Sequence, residues 1–166
     1  MNDNMEYIIR KYSRQGVVMD TNVLLLYAIG TYDVSQIEKF KRTQSFTSID
    51  FGYLLEFLER FDRLLTTPNL LTELTNLTEG FNEQTKQGFF KSLSQQMQLF
   101  NEYYFESSTL SKTSIFQKFG LADTTLSELG KQKYLILTDD LRLTHFLNTQ
   151  KIDCLNFNHI RSNFNN

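Results

Sequence analysis

Cysteine, proline and tryptophan are scarce in this sequence of 166 residues, which has one cysteine, one proline and no tryptophan. The single cysteine, Cys154, excludes an intramolecular disulfide. The sequence also lacks any run of about 18 consecutive apolar residues, and it lacks a charged segment that leads into an apolar export signal. We therefore expect a cytoplasmic protein that does not associate with membranes.

An excess of either charge is missing as well. Lys and Arg number 17 against 19 Asp and Glu, which gives a net charge of −2. This balance excludes a generally basic nucleic-acid-binding surface, so contact with a polyanion would need a local basic patch or metal ions. A chain of this length buries roughly 70% of its unfolded surface and needs no metal to hold its core together. A metal ion would therefore serve chemistry.

The organisation of the chain is that of one domain, because no linker-like segment and no internal repeat is present. We predict a single domain over residues 1–166, with residues 1–15 as an N-terminal helical extension. Short apolar runs predict strands at 17–19, 64–67, 134–138 and 152–157. A long helix is predicted over 82–104, with Phe100 on its apolar stripe. Strands that alternate with helices indicate a parallel sheet covered on both faces.

The segment 48–61 is strongly amphipathic, but Tyr53 and Phe57 extend its apolar surface beyond one side. Two interpretations follow. The helix packs entirely into the core, or part of it binds a protein partner or a second copy of the chain.

Four acidic residues lie at the positions where a parallel α/β sheet builds its sites. Asp20 closes the first strand, Glu73 lies in the first turns of the helix after the second, Asp123 follows Gly120 at a helix start, and Asp140 follows strand 134–138. Ligands of open α/β sheets bind beyond the carboxyl ends of the strands. Clustered carboxylates would raise one another's pKa values unless a divalent cation lay between them, and Mg²⁺ and Mn²⁺ prefer such oxygen ligands. Each acid alone is an ordinary turn or helix-cap residue, so the prediction depends on the joint pattern.

The segments that carry these acids also resemble the motifs of a known family. They read VVMDTNVLL at 17–25, TTPNLLTEL at 66–74, GLADT at 120–124 and LILTDD at 135–140. In this order they resemble the motifs of the PIN-domain ribonucleases, most nearly the toxin components of bacterial toxin-antitoxin systems. The chain departs from those toxins in the residues that precede Asp20 and in the longer segment between Asp20 and Glu73, so the toxin role is left open.

The resemblance implies a three-layer, doubly wound α/β domain with a central, mostly parallel sheet of four or five strands. It also implies an endoribonuclease that hydrolyses RNA phosphodiester bonds with Mg²⁺ or Mn²⁺ and leaves a 5′-phosphate and a 3′-hydroxyl. Its implied partners, besides RNA, are an antitoxin or another protein and a second copy in a homodimer.

The resemblance assigns roles to individual residues. Asp20, Glu73 and Asp123 match the metal-binding and catalytic acids of the family. Asp140 matches the fourth, and Asp139 is a neighbour that shares or replaces its role. The polar residues that would support these acids by hydrogen bonding are Thr21, Asn22 and Thr138.

Basic residues are candidates for contact with the phosphates of a substrate. Lys39 and Arg42 belong to a small basic cluster, and Arg142 lies two residues beyond Asp140. The alternative for the cluster is a solvated helix face, and Arg142 is equally placed to pair with a carboxylate. His145 and His159 lack the spacing of a zinc site.

Two other functions are compatible with the sequence. A non-catalytic PIN-like binding or regulatory module would keep the fold without the chemistry. A phosphatase of the haloacid-dehalogenase type would use Asp20 as its nucleophile, although such a motif requires a second aspartate where Asn22 stands. The sequence also leaves open whether RNA or DNA is cut.

Overall fold

A central sheet of five parallel strands organises the fold in the computed structural model, which describes residues 3–164. The strands are β1 (Val17–Met19), β2 (Leu64–Thr66), β3 (Phe100–Glu102), β4 (Leu135–Thr138) and β5 (Cys154–Asn156), in the spatial order β3-β2-β1-β4-β5. In register, Val17 of β1 lies between Leu64 of β2 and Leu135 of β4. The predicted α/β class with a parallel sheet is confirmed, and all five strands run in the same direction.

Helices connect the strands and cover the sheet. They are α1 (Asp3–Tyr12), α2 (Thr21–Tyr32), α3 (Ser48–Leu58), α4 (Pro68–Leu77), α5 (Glu83–Met97), α6 (Ser107–Leu110), α7 (Phe116–Lys131), α8 (Leu141–Thr149) and α9 (Phe157–Phe164), with 3₁₀ turns at Val34–Gln36 and Thr78–Gly80. Every residue of β1, β4 and β5 is buried. Such continuous burial explains why these strands are mostly apolar instead of alternating with polar residues, with polar side chains only at the last position of β4 and β5, Thr138 and Asn156.

The core is one connected cluster of buried side chains. Helix α2 passes through its centre and is buried continuously from Val23 to Gly30. Helix α1 contributes Met5, Ile9 and Tyr12 to the same cluster, so the predicted N-terminal extension packs against the domain. Among residues 3–164, no helix has the length and apolarity needed to cross a membrane.

Helix α3 ends at Leu58 and places Phe51, Leu54 and Phe57 in the core. Phe57 is therefore a packing residue, as the first of the two interpretations predicted. Ile49 lies on the exposed side of the helix.

The predicted helix over 82–104 is wrong in its last part. Helix α5 ends at Met97, and the chain then forms the edge strand β3, with Phe100 opposite Leu64 of β2. Phe100 continues the helical spacing of the apolar residues before it, and neither proline nor glycine marks the boundary. Because two of the three residues in this edge strand are exposed, the strand lacks the apolar run that identified the others.

Candidate active site

Two of the four predicted acids follow neighbouring strands of the sheet. Asp20 follows β1 and caps α2, where its Oδ1 accepts a hydrogen bond of 2.9 Å from the backbone N–H of Val23. Asp140 follows β4 and caps α8, where its Oδ1 accepts from the backbone N–H of Arg142 at 2.6 Å. Because β1 and β4 are paired and parallel, both carboxylates lie at the carboxyl edge of the sheet.

The other two acids lie on helices that contact each other. Helix α4 carries Glu73, and α7 carries Asp123 shortly after a kink at Gly120, whose φ of 81° and ψ of −173° interrupt the helix. The hydroxyl oxygens of Thr67 and Thr125 are 3.0 Å apart and join the two helices in the protein interior.

All four acids line one small cleft of about 190 Å³. The chain positions 20, 73, 123 and 140 are far apart in sequence, and the fold brings them to one place. Thr21, Asn22 and Leu143 complete the lining.

Asp139 is placed differently from Asp140. Its Oδ1 accepts a hydrogen bond of 3.2 Å from the amide of Asn22, and its side chain lines a neighbouring cavity of about 470 Å³. The geometry thus favours Asp140 as the fourth acid of the cleft and leaves Asp139 beside it.

Hydroxyl groups orient two of the acids. Thr138 Oγ1 donates to Asp20 Oδ2, which also accepts from the backbone N–H of Asp139 at 3.1 Å. Thr138 Oγ1 in turn accepts from the backbone N–H of Asp140 at 3.0 Å. Thr21 Oγ1 donates to Glu73 Oε2 at 3.0 Å. Each of the three polar residues singled out in the sequence contacts an acid.

Burial and like charge act together on the carboxylates. Asp20 is 4% exposed. Its burial, followed by the nearby charge of Asp139, raises its pKa well above the ordinary value although three hydrogen bonds favour the charged form. Burial, followed by the charges of Glu73 and Asp140, raises the pKa of Asp123 to about 7. Within the part of the chain that the structure describes, none of the four cleft acids has a Lys or Arg ion-pair partner.

The chemistry of these donors fits a hard divalent cation, because the described residues that line the cleft include four carboxylates and no cationic side chain. Over residues 3–164, no group of three or more Asp, Glu, His or Cys side chains is arranged so that it could hold a metal ion by itself. Mg²⁺ does not require such a group, since it keeps several waters and is commonly bound through one or two carboxylates and a substrate phosphate.

The predicted phosphate-binding residues lie around the cleft and not in it. Arg42 and Lys41 line the neighbouring cavity together with Asn22 and Asp139. Lys39 is exposed, with its Nζ 3.5 Å from the hydroxyl of Ser35.

Arg142 is exposed, and its guanidinium lies over the ring of Phe119, 5.9 Å from the ring centroid. No carboxylate among residues 3–164 is in ion-pair contact with it. The predicted pairing of Arg142 with a carboxylate is therefore not found.

Sequence reasoning missed two asparagines that support this edge. Asn158 donates from Nδ2 to the backbone carbonyl of Asp139 at 3.0 Å, and the buried Asn156 donates to Thr144 Oγ1 at 3.1 Å. Their signal in the sequence is their position at the carboxyl end of a strand, because Asn156 ends β5 and Asn158 comes two residues later.

Comparison of the chain with protein-family models, with curated proteins and with solved structures finds no match. The relation to the PIN-domain ribonucleases therefore stays a prediction from the four motifs.

Proposed function

We propose that this protein is a PIN-type, metal-dependent endoribonuclease that hydrolyses RNA phosphodiester bonds with Mg²⁺ or Mn²⁺. One observation carries the proposal: four carboxylates from four separate segments line one cleft at the carboxyl edge of a parallel sheet, and within residues 3–164 none of them has a Lys or Arg partner. Carboxylates crowded in this way cost stability in a protein that binds no cation.

Asp20, Glu73, Asp123 and Asp140 would hold the metal, with Asp139 next to them. The bound metal would supply activation of water for in-line attack and neutralisation of charge at the phosphate. The raised pKa of Asp123 means that this carboxyl is substantially protonated near neutral pH in the metal-free protein. Metal binding would then release a proton from it.

The remaining contacts of the cleft keep the acids in position. Thr138 and the N–H of Asp139 fix one oxygen of Asp20, and the N–H of Val23 fixes the other. Thr21 directs the carboxylate of Glu73. Such supporting hydrogen bonds hold metal ligands in one orientation and tune their basicity.

Charge around the cleft supports an anionic substrate. Lys41 and Arg42 are positioned to bind phosphates that flank the reacting one, because their cavity adjoins the acid cleft at Asn22. The metal acts on the phosphodiester and does not read the sugar, so the assay should offer RNA and DNA of the same sequence.

The phosphatase alternative has little structural support. Asn22, which stands where that mechanism needs a second aspartate, binds Asp139 through its amide. No lysine among the described residues forms an ion pair with Asp20.

The test is cleavage of a labelled single-stranded RNA with Mn²⁺ by the wild-type protein and by Asp20→Asn. Asparagine keeps an oxygen to cap α2, so we expect a folded variant whose kcat/KM is lower by about 10³-fold or more, because metal stabilisation of the transition state is worth several kcal/mol. Asp153→Asn, which replaces an acid outside the cleft, should cleave the RNA as the wild-type protein does. Cleavage that persists in Asp20→Asn, or in the wild-type protein in excess EDTA, would refute the proposal.

A further inference from the structure

A second and larger cavity adjoins the acid cleft. It has a volume of about 530 Å³, lies between α4, the segment that follows β3 and the kink of α7, and shares Glu73 with the cleft. We call it the aromatic groove and define it by Asn69, Thr72, Asn76, Tyr104, Phe105 and Phe119. Its volume is within the range of roughly 300–1,000 Å³ that is usual for small-molecule sites.

The lining of the aromatic groove has the chemistry that recognises a nucleobase. Tyr104 is 77% exposed, so its ring is largely available for stacking, and Phe105 and Phe119 are partly exposed. The amides of Asn69 and Asn76 add hydrogen-bond donors and acceptors. Of the described residues that line the groove, Glu73 at the junction with the cleft is the only charged one. A neutral site of rings and amides suits a base better than a phosphate.

A cavity with basic side chains adjoins the acid cleft at a different residue. The acid cleft shares Asn22 with the cavity that contains Lys41 and Arg42, and it shares Glu73 with the aromatic groove. A strand whose scissile phosphate occupied the cleft would therefore meet basic side chains on one side and aromatic rings on the other.

The kink in α7 lies in the wall of the groove. Gly120 lines the groove, and a Cβ atom built on it meets no atom within 4 Å, so a side chain there would project into open space. Its φ of 81° with ψ of −173° lies in a region that is essentially restricted to glycine.

We propose that the aromatic groove is a base-binding subsite, in which an unpaired base next to the scissile phosphate stacks on Tyr104 and hydrogen-bonds to the amides of Asn69 and Asn76. This inference rests on the proposed nuclease function. Bases in a duplex are paired and stacked inside the helix, so only a single strand or a loop can present one to the groove.

Binding tests this subsite separately from catalysis. The probe is a fluorescently labelled single-stranded RNA of about ten nucleotides, with the matching duplex as its counterpart, and the readout is fluorescence anisotropy in EDTA with Asp20→Asn as the parent protein. Adding Tyr104→Ala should weaken single-strand binding by about 5- to 100-fold, the usual effect of removing one stacking ring. Duplex binding should change by less than about twofold.

Two variants serve as controls. Tyr104→Phe keeps the ring and should bind the single strand as the parent does. Tyr7→Ala removes a ring of similar exposure, 66%, from α1, which is outside the groove, and should also bind as the parent does.

The subsite is refuted if the parent protein does not bind the single strand, if Tyr104→Ala binds it as tightly as Tyr7→Ala does, or if single strand and duplex weaken equally. None of these results would alter the effect of Asp20→Asn on cleavage. Conversely, a loss of single-strand selectivity in Tyr104→Ala would support the subsite even if Asp20→Asn cleaved RNA normally. The two proposals can therefore be refuted independently.

Discussion

Acidic side chains at the two edges of the sheet have different neighbours. Near the amino edge, two acids have cationic partners: Glu6 of α1 pairs with Arg60, and Asp153 accepts from Lys11 Nζ at 2.6 Å and from the hydroxyl of Tyr12 at 2.8 Å. At the carboxyl edge, the four acids of the cleft face one another, and no ion pair to them is present within residues 3–164.

The pKa values move in opposite directions as a result. The hydrogen bond from Arg60 lowers the pKa of Glu6. Burial by itself would raise the pKa of Asp153, but the hydrogen bonds from Lys11 and Tyr12 outweigh it, so that the pKa is lowered. Burial and like charges raise the pKa of Asp123 to about 7. Ionised Glu6 and Asp153 therefore stabilise the folded protein, whereas ionised Asp20 and Asp123 destabilise the metal-free protein, a cost that the proposed metal ion would offset.

Replacing one acid at each edge should have opposite consequences. Asp123→Asn should lower kcat/KM for RNA cleavage by about 10³-fold while raising the free energy of unfolding of the metal-free protein at pH 8 by about 1–3 kcal/mol. Asp153→Asn should keep cleavage and lower the free energy of unfolding by about 0.5–1 kcal/mol, as expected for a partly exposed ion pair. Cleavage assays and urea unfolding measure the two effects. If the free energy of unfolding fell in both variants, the proposed difference between acids at the two edges would be refuted.

The same contrast appears in the pH dependence of stability. A carboxyl group whose pKa is raised on folding lowers the stability of the folded state progressively as the pH rises from its unfolded pKa to its folded pKa, and the full loss persists at higher pH. The destabilisation from Asp123 should therefore develop as the pH rises from about 4 to about 7, and it should be absent from Asp123→Asn. Mn²⁺ should restore stability to the wild-type protein at pH 8 and have little effect at pH 4. Melting temperatures across this range, with and without EDTA, provide the measurement.

Two buried threonines, one that contacts a cleft acid and one outside the cleft, test whether the supporting hydrogen bond matters for activity. Thr138→Val removes the hydroxyl that orients Asp20 and should lower kcat/KM by about 10- to 100-fold, whereas Thr138→Ser should retain most activity. Thr43 is an equally buried threonine outside the cleft, and its hydroxyl binds the backbone carbonyl of Ile37. Thr43→Val should therefore reduce stability and leave kcat/KM unchanged. Equal losses of activity in Thr43→Val and Thr138→Val would contradict a specific role for Thr138.

The smallest expected effect concerns the kink that positions Asp123. A Cβ atom would meet nothing within 4 Å at Gly120 or at Gly52, so the two glycines differ chiefly in backbone conformation. Gly120→Ala should lower the free energy of unfolding by about 1–3 kcal/mol because of its positive φ. Gly52→Ala, within helix α3, should raise it by about 0.5–1 kcal/mol. Chemical denaturation of the two variants compares them, and a loss in Gly52→Ala as large as that in Gly120→Ala would show that conformation is not the cause.

The sequence predicted those parts of the fold that depend on local pattern. The buried strands are mostly apolar, and Pro68 begins α4 as its fixed φ favours. Asp20 and Asp140 follow strands whose direction is set by the helices between them. The edge strand β3 was missed because Asn101 and Glu102 are exposed and polar, and its pairing with β2 is a tertiary contact.

The details of the site depended on contacts that no local pattern encodes. Asp139 and Asp140 are adjacent in sequence, and only the bond from Asn22 to Asp139 and the capping of α8 by Asp140 separate their positions. Tyr104 was not predicted as a site residue, because its exposure depends on the course of the chain after β3 and not on a local pattern.

Titration of Mn²⁺ into the metal-free protein by calorimetry at about pH 7.5 tests the central claim most directly, because it measures the cation that the four acids are proposed to bind. Wild-type protein should bind Mn²⁺ with measurable heat and with release of protons, and the double variant Asp20→Asn, Asp123→Asn should show neither. No heat with the wild-type protein, or the same heat with the double variant, would contradict the account.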